Sequence, residues 1–551
     1  MNRLATDVLI VGGGGAAGRA AIAAADAGAD VLIATKKPLG LGGTTTYPVA
    51  EMAGYNAGNP AKPGDVERHY QDIVDAGQGM ADPRLAAILA ENAPRTVAEL
   101  EKWGVAFDME GDDYYIFQSC FASAPRTHVI RGHGDPIVHA MMQQIALRPN
   151  IRELSGITIV ELLMRDGVCR GAWGVDKAGG FVRIDAGAVV LATGGASQAF
   201  EKNLNPGDVS GDGYLLGYEA GAELINMEFM QAGLGISHPI TNIFNGYIWA
   251  AHPRLQNGRG ESFVEKYLPA GMPPEHVMDE HRRHFPFSSS DDSKYLEITI
   301  QKEICAGNAC AHGGICADLT HMTDAYVDSI PDDCGLHHMW RVARDHMREN
   351  GLDLLKQTVE ISVFAHAING GVRINERSAS SLPGLYAAGE VAGGPHGADR
   401  LGGNMMVTCQ VFGEIAGRSA AEWARGQKGL AVDAGKPSAA LEGILHKRID
   451  TNAMIAHMQK VNQKNLLVCR SEKSLERVQE LVQDLLREIE QAPTQDAVRM
   501  DNFRLYSMLV SSGLMAQAAQ GRKESRGAHF REDYPQTDSA LGKPAVQKKN
   551  T

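Results

Sequence analysis

Several things are missing from this sequence, and each absence narrows the reading. Its 551 residues contain no apolar run of the roughly 18 residues that a membrane-crossing helix needs. The first apolar run is short and leads straight into glycine rather than a cleavage site, so no export signal is expected and the reading is cytoplasmic. No block of Lys and Arg stands out against a net charge of −13, which argues against nucleic acid and anionic membranes as general partners. There are no internal repeats. Cysteine is present but not patterned: Cys120, Cys169, Cys305, Cys310, Cys316, Cys334, Cys409 and Cys469 are scattered. Cys305, Cys310 and Cys316 come nearest to a cluster, but their spacing matches no common iron–sulfur or zinc ligand set. Reduced, ordinary thiols are the expectation, with a metal site as the lesser alternative.

Glycine, in contrast, is abundant at 62 residues, and it is concentrated where it carries meaning. Asp7-Val8-Leu9-Ile10-Val11 predicts a buried strand. Gly12-Gly13-Gly14-Gly15-Ala16-Ala17-Gly18 follows at once, then an Ala-rich helical stretch to Gly28, then a second apolar run, Ala29 to Ala34. Strand, glycine turn, helix and strand make a dinucleotide-binding βαβ unit. Its physical basis is a helix N-terminus whose free N–H groups and dipole favour a pyrophosphate. The second strand ends Ala34-Thr35-Lys36-Lys37. No Asp or Glu stands there to grip a ribose 2′-OH, which weakens an NAD reading.

The remainder divides by texture. Residues 57–150 look mainly helical, with punctuation at Pro63-Gly64 and Asp82-Pro83. Residues 151–235 return to strand periods, ending in the buried run Ala188 to Ala192 and then Thr193-Gly194-Gly195. Residues 236–355 are dense in Pro, His, Asp and Cys with weak periodicity and read as an inserted unit. Strand, turn and helix resume at Gly384 to Glu390 and Gly402-Gly403-Asn404. Beyond 436 helical periodicity is strong, as in Leu475-Val478-Leu481-Val482-Leu485. The tail from Tyr534 is polar and expected to be poorly ordered. The predicted class is α/β: a Rossmann-like FAD-binding domain, an inserted α+β capping domain and a C-terminal helical domain. The expected divisions are 1–235 (with a helical insertion at about 57–130), 236–355, 356–435 and 436–551.

Several phrases carry a resemblance. They include Ala192-Thr-Gly-Gly195, Ser210-Gly-Asp-Gly213, Asn257-Gly-Arg-Gly-Glu-Ser-Phe263, Ala365-His-Ala-Ile-Asn-Gly-Gly371 and Leu385-Tyr-Ala-Ala-Gly-Glu390. His396-Gly-Ala-Asp-Arg-Leu-Gly-Gly-Asn404 and the phrase from Arg522 to Pro535 are the most specific. With the glycine turn, they resemble the succinate dehydrogenase/fumarate reductase flavoprotein family, which also contains L-aspartate oxidase and the adenylylsulfate reductase α subunit.

The resemblance implies FAD held by Gly12, Gly14, Gly15 and Ala16, by Thr35 and Lys36, and by the loop Gly43, Thr44 and Thr45. It implies further contacts at Gly194, Gly195, Asp212, Glu390, Arg400, Gly403 and Asn404. Many members attach FAD through a His in the early loop. Gly42-Gly43-Thr44-Thr45-Thr46-Tyr47 has none, so FAD is expected to be non-covalent, with a correspondingly lower flavin potential.

By the same resemblance, His366 and Arg400 would hold a substrate carboxylate beside the flavin. The alternatives are a buried structural imidazole at His366 and a surface ion pair between Arg400 and Asp399. Fumarate reductases carry a His after Met-Glu-Phe. Here Met227-Glu228-Phe229-Met230-Gln231 continues Ala232-Gly233, and that His is absent. They also carry a proton-donating Arg before an Asp-Leu strand. The matching stretch, Cys310 to Leu319, has none, which leaves His312 as acid/base or as a structural residue. The departures argue against plain fumarate or succinate.

The implied activity is hydride transfer between flavin and a carboxylate- or acyl-bearing substrate. An iron–sulfur or other electron-carrier subunit would serve as partner, and an oligomer is possible on this reading. A self-contained oxidase like L-aspartate oxidase, an adenylylsulfate reductase-like enzyme and a non-catalytic FAD relay subunit stand as alternatives. The basic phrase Arg522, Arg526, His529 and Arg531 is read as structural docking, with proton or substrate traffic as the alternative.

Overall fold

A computed structural model describes residues 2–59, 62–427 and 436–549. The end of the third expected FAD segment, 428–435, lies outside the described residues.

Apolar β-branched runs become the centre of a seven-stranded sheet. Asn2–Val11 pairs in parallel with Val31–Thr35 on one side and with Phe181–Leu191 on the other. Ile151–Ser155 extends the sheet beyond Val31–Thr35, and Leu385–Ala387 joins Phe181–Leu191, both in parallel. The segment with the Asp166-Gly167 turn supplies two antiparallel strands, Ile157–Arg165 and Val168–Asp176. Val8, Leu9, Ile10, Val189, Val190 and Leu191 have no solvent exposure, as a sheet covered on both faces requires.

Two helices cover one face. Gly15–Asp26 follows the glycine turn, and Asn404–Arg425 follows Gly402-Gly403. They approach closely because their facing residues are small: a Cβ at Gly417 would sit 2.1 Å from the carbonyl oxygen of Ala20. Strand ends and helix N-termini therefore converge on one edge of the sheet, where doubly wound folds bind their ligands.

A second, five-stranded antiparallel sheet is formed by Met230–His238, Val359–Ile368, Asn242–Ile243, Ile315–Asp318 and Arg254–Gln256. Its two long strands come from the flanks of the expected insertion and its short ones from within it. The helices Lys294–Cys305 and Leu336–Glu349 belong to the same stretch, where sequence periodicity was weak.

Two expectations need correction. The region expected to be a helical insertion holds the helices Asp65–Gly77 and Pro83–Lys102, and it also holds short strands. Thr127–Ile130 pairs with Ala53–Asn56 and with Ile116–Phe117. These segments are too short for alternation to be visible. The polar tail is also not loose. Val546–Gln547 pairs with Leu224–Ile225. Arg522 holds the carbonyl oxygens of Leu541 at 2.9 Å and Lys543 at 3.0 Å. A tail with few apolar residues is tied down here by backbone and guanidinium hydrogen bonds.

Candidate functional site

The converging edge opens into a cavity of about 1170 Å³, larger than most single-ligand pockets. Gly12 to Ala16, Thr35, Lys36, Gly43, Thr44, Thr45, Gly194, Asp212, Glu390 and Gly403 line one part of it, and His366 and Arg400 line the same cavity. Gly12 must be glycine twice over: its φ is +128° and a Cβ would lie 2.2 Å from the carbonyl oxygen of Ala192. The helix Gly15–Asp26 begins at this wall, so its N–H groups face the space. Thr45 Oγ1 accepts one of them, from Gly15, at 3.2 Å.

The polar groups of this part are organised by one another. Lys36 Nζ lies 2.6 Å from Asp212, whose other oxygen accepts from Ser210 Oγ at 2.7 Å. Asp208 accepts from the Gly43 amide at 3.0 Å and pairs with Lys37. Asn205 Oδ1 takes the Thr44 hydroxyl at 2.7 Å, and its Nδ2 donates to the carbonyl oxygen of His366. Asn205 and Asp208 were missed in the sequence; their only signal is an Asn-Pro-Gly-Asp turn after the Gly-Gly strand end. Glu390 is buried, accepts from the Ile368 amide at 3.0 Å, and is pushed up to about 7 by burial.

Three predicted residues do not line the cavity. A Cβ at Gly195 would lie 2.1 Å from Glu390 Oε1, so this glycine serves by making room for that carboxyl. Asn404 is fully buried and bonds His69 Nε2 through Oδ1 at 3.0 Å, fixing the start of its helix. His312 is a correction. Its Nδ1 lies 2.8 Å from Glu360, and its ring stacks on His238 with centroids 3.5 Å apart. Glu360 and His366 are on one strand, six residues apart, which is about 20 Å at a strand's rise. The exposed loop that carries His312 is held at the far end of the second sheet, so His312 is not an acid/base for this cavity.

Arg400 is buried and is not paired with Asp399, contrary to the surface alternative. Its Nε donates to Gln231 Oε1 at 3.1 Å and its Nη1 to the carbonyl oxygen of Leu401 at 3.0 Å. Among the described residues no carboxylate lies within ion-pair distance of it. Asp399 turns instead to Ser288 at 2.7 Å and Gln78 at 3.1 Å. His366 packs edge-on to Phe285, with centroids 5.5 Å apart. Its Nδ1 is buried without a partner. Burial first, then the Arg400 charge, pushes the imidazole down to about 3, so it is neutral at ordinary pH. The site thus joins a desolvated guanidinium to a neutral imidazole, an arrangement suited to a carboxylate.

Phe285, Phe121, Phe117 and Ile243 form apolar walls nearby, and Arg282, Arg283 and His284 also line the cavity. Arg282 and His284 are already paired, and Arg283 is largely exposed. Arg282 pairs with Asp333 at 2.7 Å, Arg283 leans on Glu280, and both nitrogens of His284 are taken by the Pro286 carbonyl oxygen and Asp291.

The basic phrase near the C-terminus lies off the cavity, buried and paired, as structural docking requires. Arg522 meets Glu228 at 2.5 Å and Glu524 at 2.9 Å; Arg526 meets Glu524 at 2.8 Å; Arg531 meets Glu472 at 2.9 Å. All eight cysteines are free thiols, and among the described residues no three His, Cys, Asp or Glu side chains are grouped to hold a metal ion.

A glycine-lined cradle at a helix N-terminus, with a buried carboxyl and hydroxyls along it, fits an extended dinucleotide. The fold and site define an FAD-dependent oxidoreductase. The chain matches the FAD binding domain model over residues 7–406 and the fumarate reductase flavoprotein C-terminal model over residues 455–543. It belongs to the fumarate reductase/succinate dehydrogenase flavoprotein family, and its cofactor is FAD. It is 35% identical to an uncharacterised FAD-dependent oxidoreductase of Methanocaldococcus jannaschii, covering 97% of this chain and 94% of that one. It is 29% identical to a CoM/CoB fumarate reductase subunit of Methanothermobacter marburgensis, covering 96% and 95%. The solved Sdh1 of Mycobacterium smegmatis in complex with UQ1 superposes with a TM-score of 0.83 at 27% identity, covering 100% and 94%. Among the described residues no helix is long and apolar enough to cross a membrane.

Proposed function

We propose that this flavoprotein exchanges a hydride with a carbon next to, or conjugated with, a substrate carboxylate or acyl group. Bound FAD, held non-covalently, supplies the hydride chemistry at its N5 position. The chain's own residues place the substrate. Arg400 holds the anion with a guanidinium fork, and His366 offers a neutral N–H beside it. The anion is thereby fixed beside a buried guanidinium and a desolvated imidazole, where orientation supplies much of the rate. Lys36, Asp212, Thr44, Thr45, Glu390 and the glycine turn are assigned to the cofactor. Reducing equivalents would pass to or from a separate electron carrier, such as an iron–sulfur protein; the Methanothermobacter relative, named as one subunit of a reductase, supports this.

One observation carries the reading: a buried arginine with no carboxylate partner shares a cavity with the glycine turn. The test is anaerobic bleaching and reoxidation of the flavin against carboxylates, acyl thioesters, amino acids and sulfite with AMP. A carboxylate or acyl compound should change the flavin's redox state, and acid precipitation should release the flavin. Response to none of these compounds overturns the proposal.

A further inference from the structure

Given the anion site just proposed, the walls around it speak to substrate class. Gly233 stands where the fumarate reductase phrase carries a His, and it lies on the strand Met230–His238. The space a side chain would fill there is taken: a Cβ at Gly233 would sit 2.5 Å from Phe285 Cζ. Phe285 is buried, packs edge-on to His366, and belongs to an apolar cluster with Leu204, Ile243 and Phe364. Its amide donates to Cys120 Sγ at 3.1 Å, which fixes the ring's place in the wall. An imidazole donor is thus exchanged for a phenyl ring beside His366.

Among the described residues that line the cavity, no second buried cation is left free; burial also pushes the His133 imidazole down, toward its neutral form. Glu51 lines it, buried, accepting from Asn245 Nδ2 at 2.6 Å and from the Tyr247 hydroxyl. Burial pushes the Glu51 carboxyl up, and Asn245 and Tyr247 already occupy it, so it supplies no cation for a second carboxylate. Arg282 and His284 are already bonded to Asp333 and Asp291, and Arg283 is largely exposed.

We infer that the substrate is a monocarboxylate with an apolar body, its carboxylate on Arg400 and His366 and its body against Phe285, rather than a small dicarboxylate. The chemistry that recognises it is one anion plus one hydrophobic face, as in a 3-substituted enoate or its saturated counterpart.

The experiment titrates the full-length FAD-loaded protein, anaerobically, with fumarate, succinate, crotonate, cinnamate and 3-phenylpropanoate, reading flavin absorbance. Cinnamate and 3-phenylpropanoate should bind at least tenfold more tightly than fumarate and succinate. Phe285→His should lower that preference about tenfold. Phe285→Leu, which keeps an apolar wall, should weaken cinnamate severalfold and leave fumarate within twofold. Fumarate or succinate binding as tightly as cinnamate overturns this inference and leaves the proposed function standing. Unchanged cinnamate affinity in Phe285→Leu also overturns it. A flavin that none of these carboxylates perturbs overturns the inference, and the proposed function falls with it only if acyl thioesters leave the flavin unchanged too.

Discussion

Arg522, Arg526 and Arg531 are buried beneath the C-terminal helices, and each faces at least one carboxylate. Arg400 is buried to the same degree beside the cavity, and among the described residues no carboxylate lies within ion-pair distance of it; Glu390 acts on it only from farther off. Both regions remove guanidinium groups from water, which costs on the order of several kcal/mol per charge. In the first, Glu228, Glu524 and Glu472 offset that cost within the chain. In the second, a side-chain amide, a carbonyl oxygen and the more distant Glu390, itself raised by burial, do so only in part, which leaves room for an anion. Burial of a charge is therefore no sign of function by itself. A buried charge left without its counter-ion, in a cavity, is such a sign.

Removing a counter-ion from the first region would make it resemble the second. Glu524→Ala leaves Arg522 and Arg526 short of a partner and should destabilise the protein by about 3–5 kcal/mol. Denaturant unfolding measures it, and a loss near zero would mean that the pairing is ornamental. Gly12→Ala strikes the cradle, adding both a strained φ and a clash with Ala192. It should cost about 2–4 kcal/mol and abolish FAD retention, checked by flavin absorbance after gel filtration.

Titrating groups in the cavity wall, Glu390 and His366, and behind it, Asp399, make stability depend on pH. Glu390 and Asp399 are each raised by burial to about 7. A carboxyl raised in the fold holds its proton where the unfolded chain has released it. Stability of the FAD-free protein should therefore fall as pH rises from the ordinary carboxyl range toward 7. Glu390→Gln should match the wild type at pH 4 and be more stable at pH 8, by at most about 3 kcal/mol. His366 works in the opposite sense. Lowered to about 3, it stays neutral where the unfolded imidazole takes up a proton. Its contribution is present above the ordinary imidazole range and is lost as pH falls below it. The smallest expected effect is that of His312→Ala, which should leave carboxylate affinity within twofold, because the ring stands outside the cavity.

Much of the dinucleotide cradle was legible because its physics is local. A glycine turn between a strand and a helix is contiguous in sequence, and Gly12 to Ala16 line the cavity as expected. His366 and Arg400 were legible only through the resemblance, since 33 residues of intervening chain separate them in the sequence. What escaped is non-local. The match of Phe285 to Gly233 joins a strand to a loop more than 50 residues away, and no period or spacing marks it. His312 misled for the same reason: nearness in sequence to an Asp-Leu strand does not reveal which end of that strand approaches the cavity. The polar tail misled because composition reports apolar burial and not backbone hydrogen bonds.

Whether Arg400 is a buried charge reserved for a substrate anion is decided by Arg400→Met in the FAD-loaded protein. Carboxylate affinity is read from flavin absorbance, alongside thermal unfolding. Binding should weaken at least about a hundredfold, with FAD retained and stability unchanged or raised, because an uncompensated buried charge has been removed. Carboxylate binding within threefold of the wild type, or unfolding as severe as that of Glu524→Ala, would refute this role for Arg400.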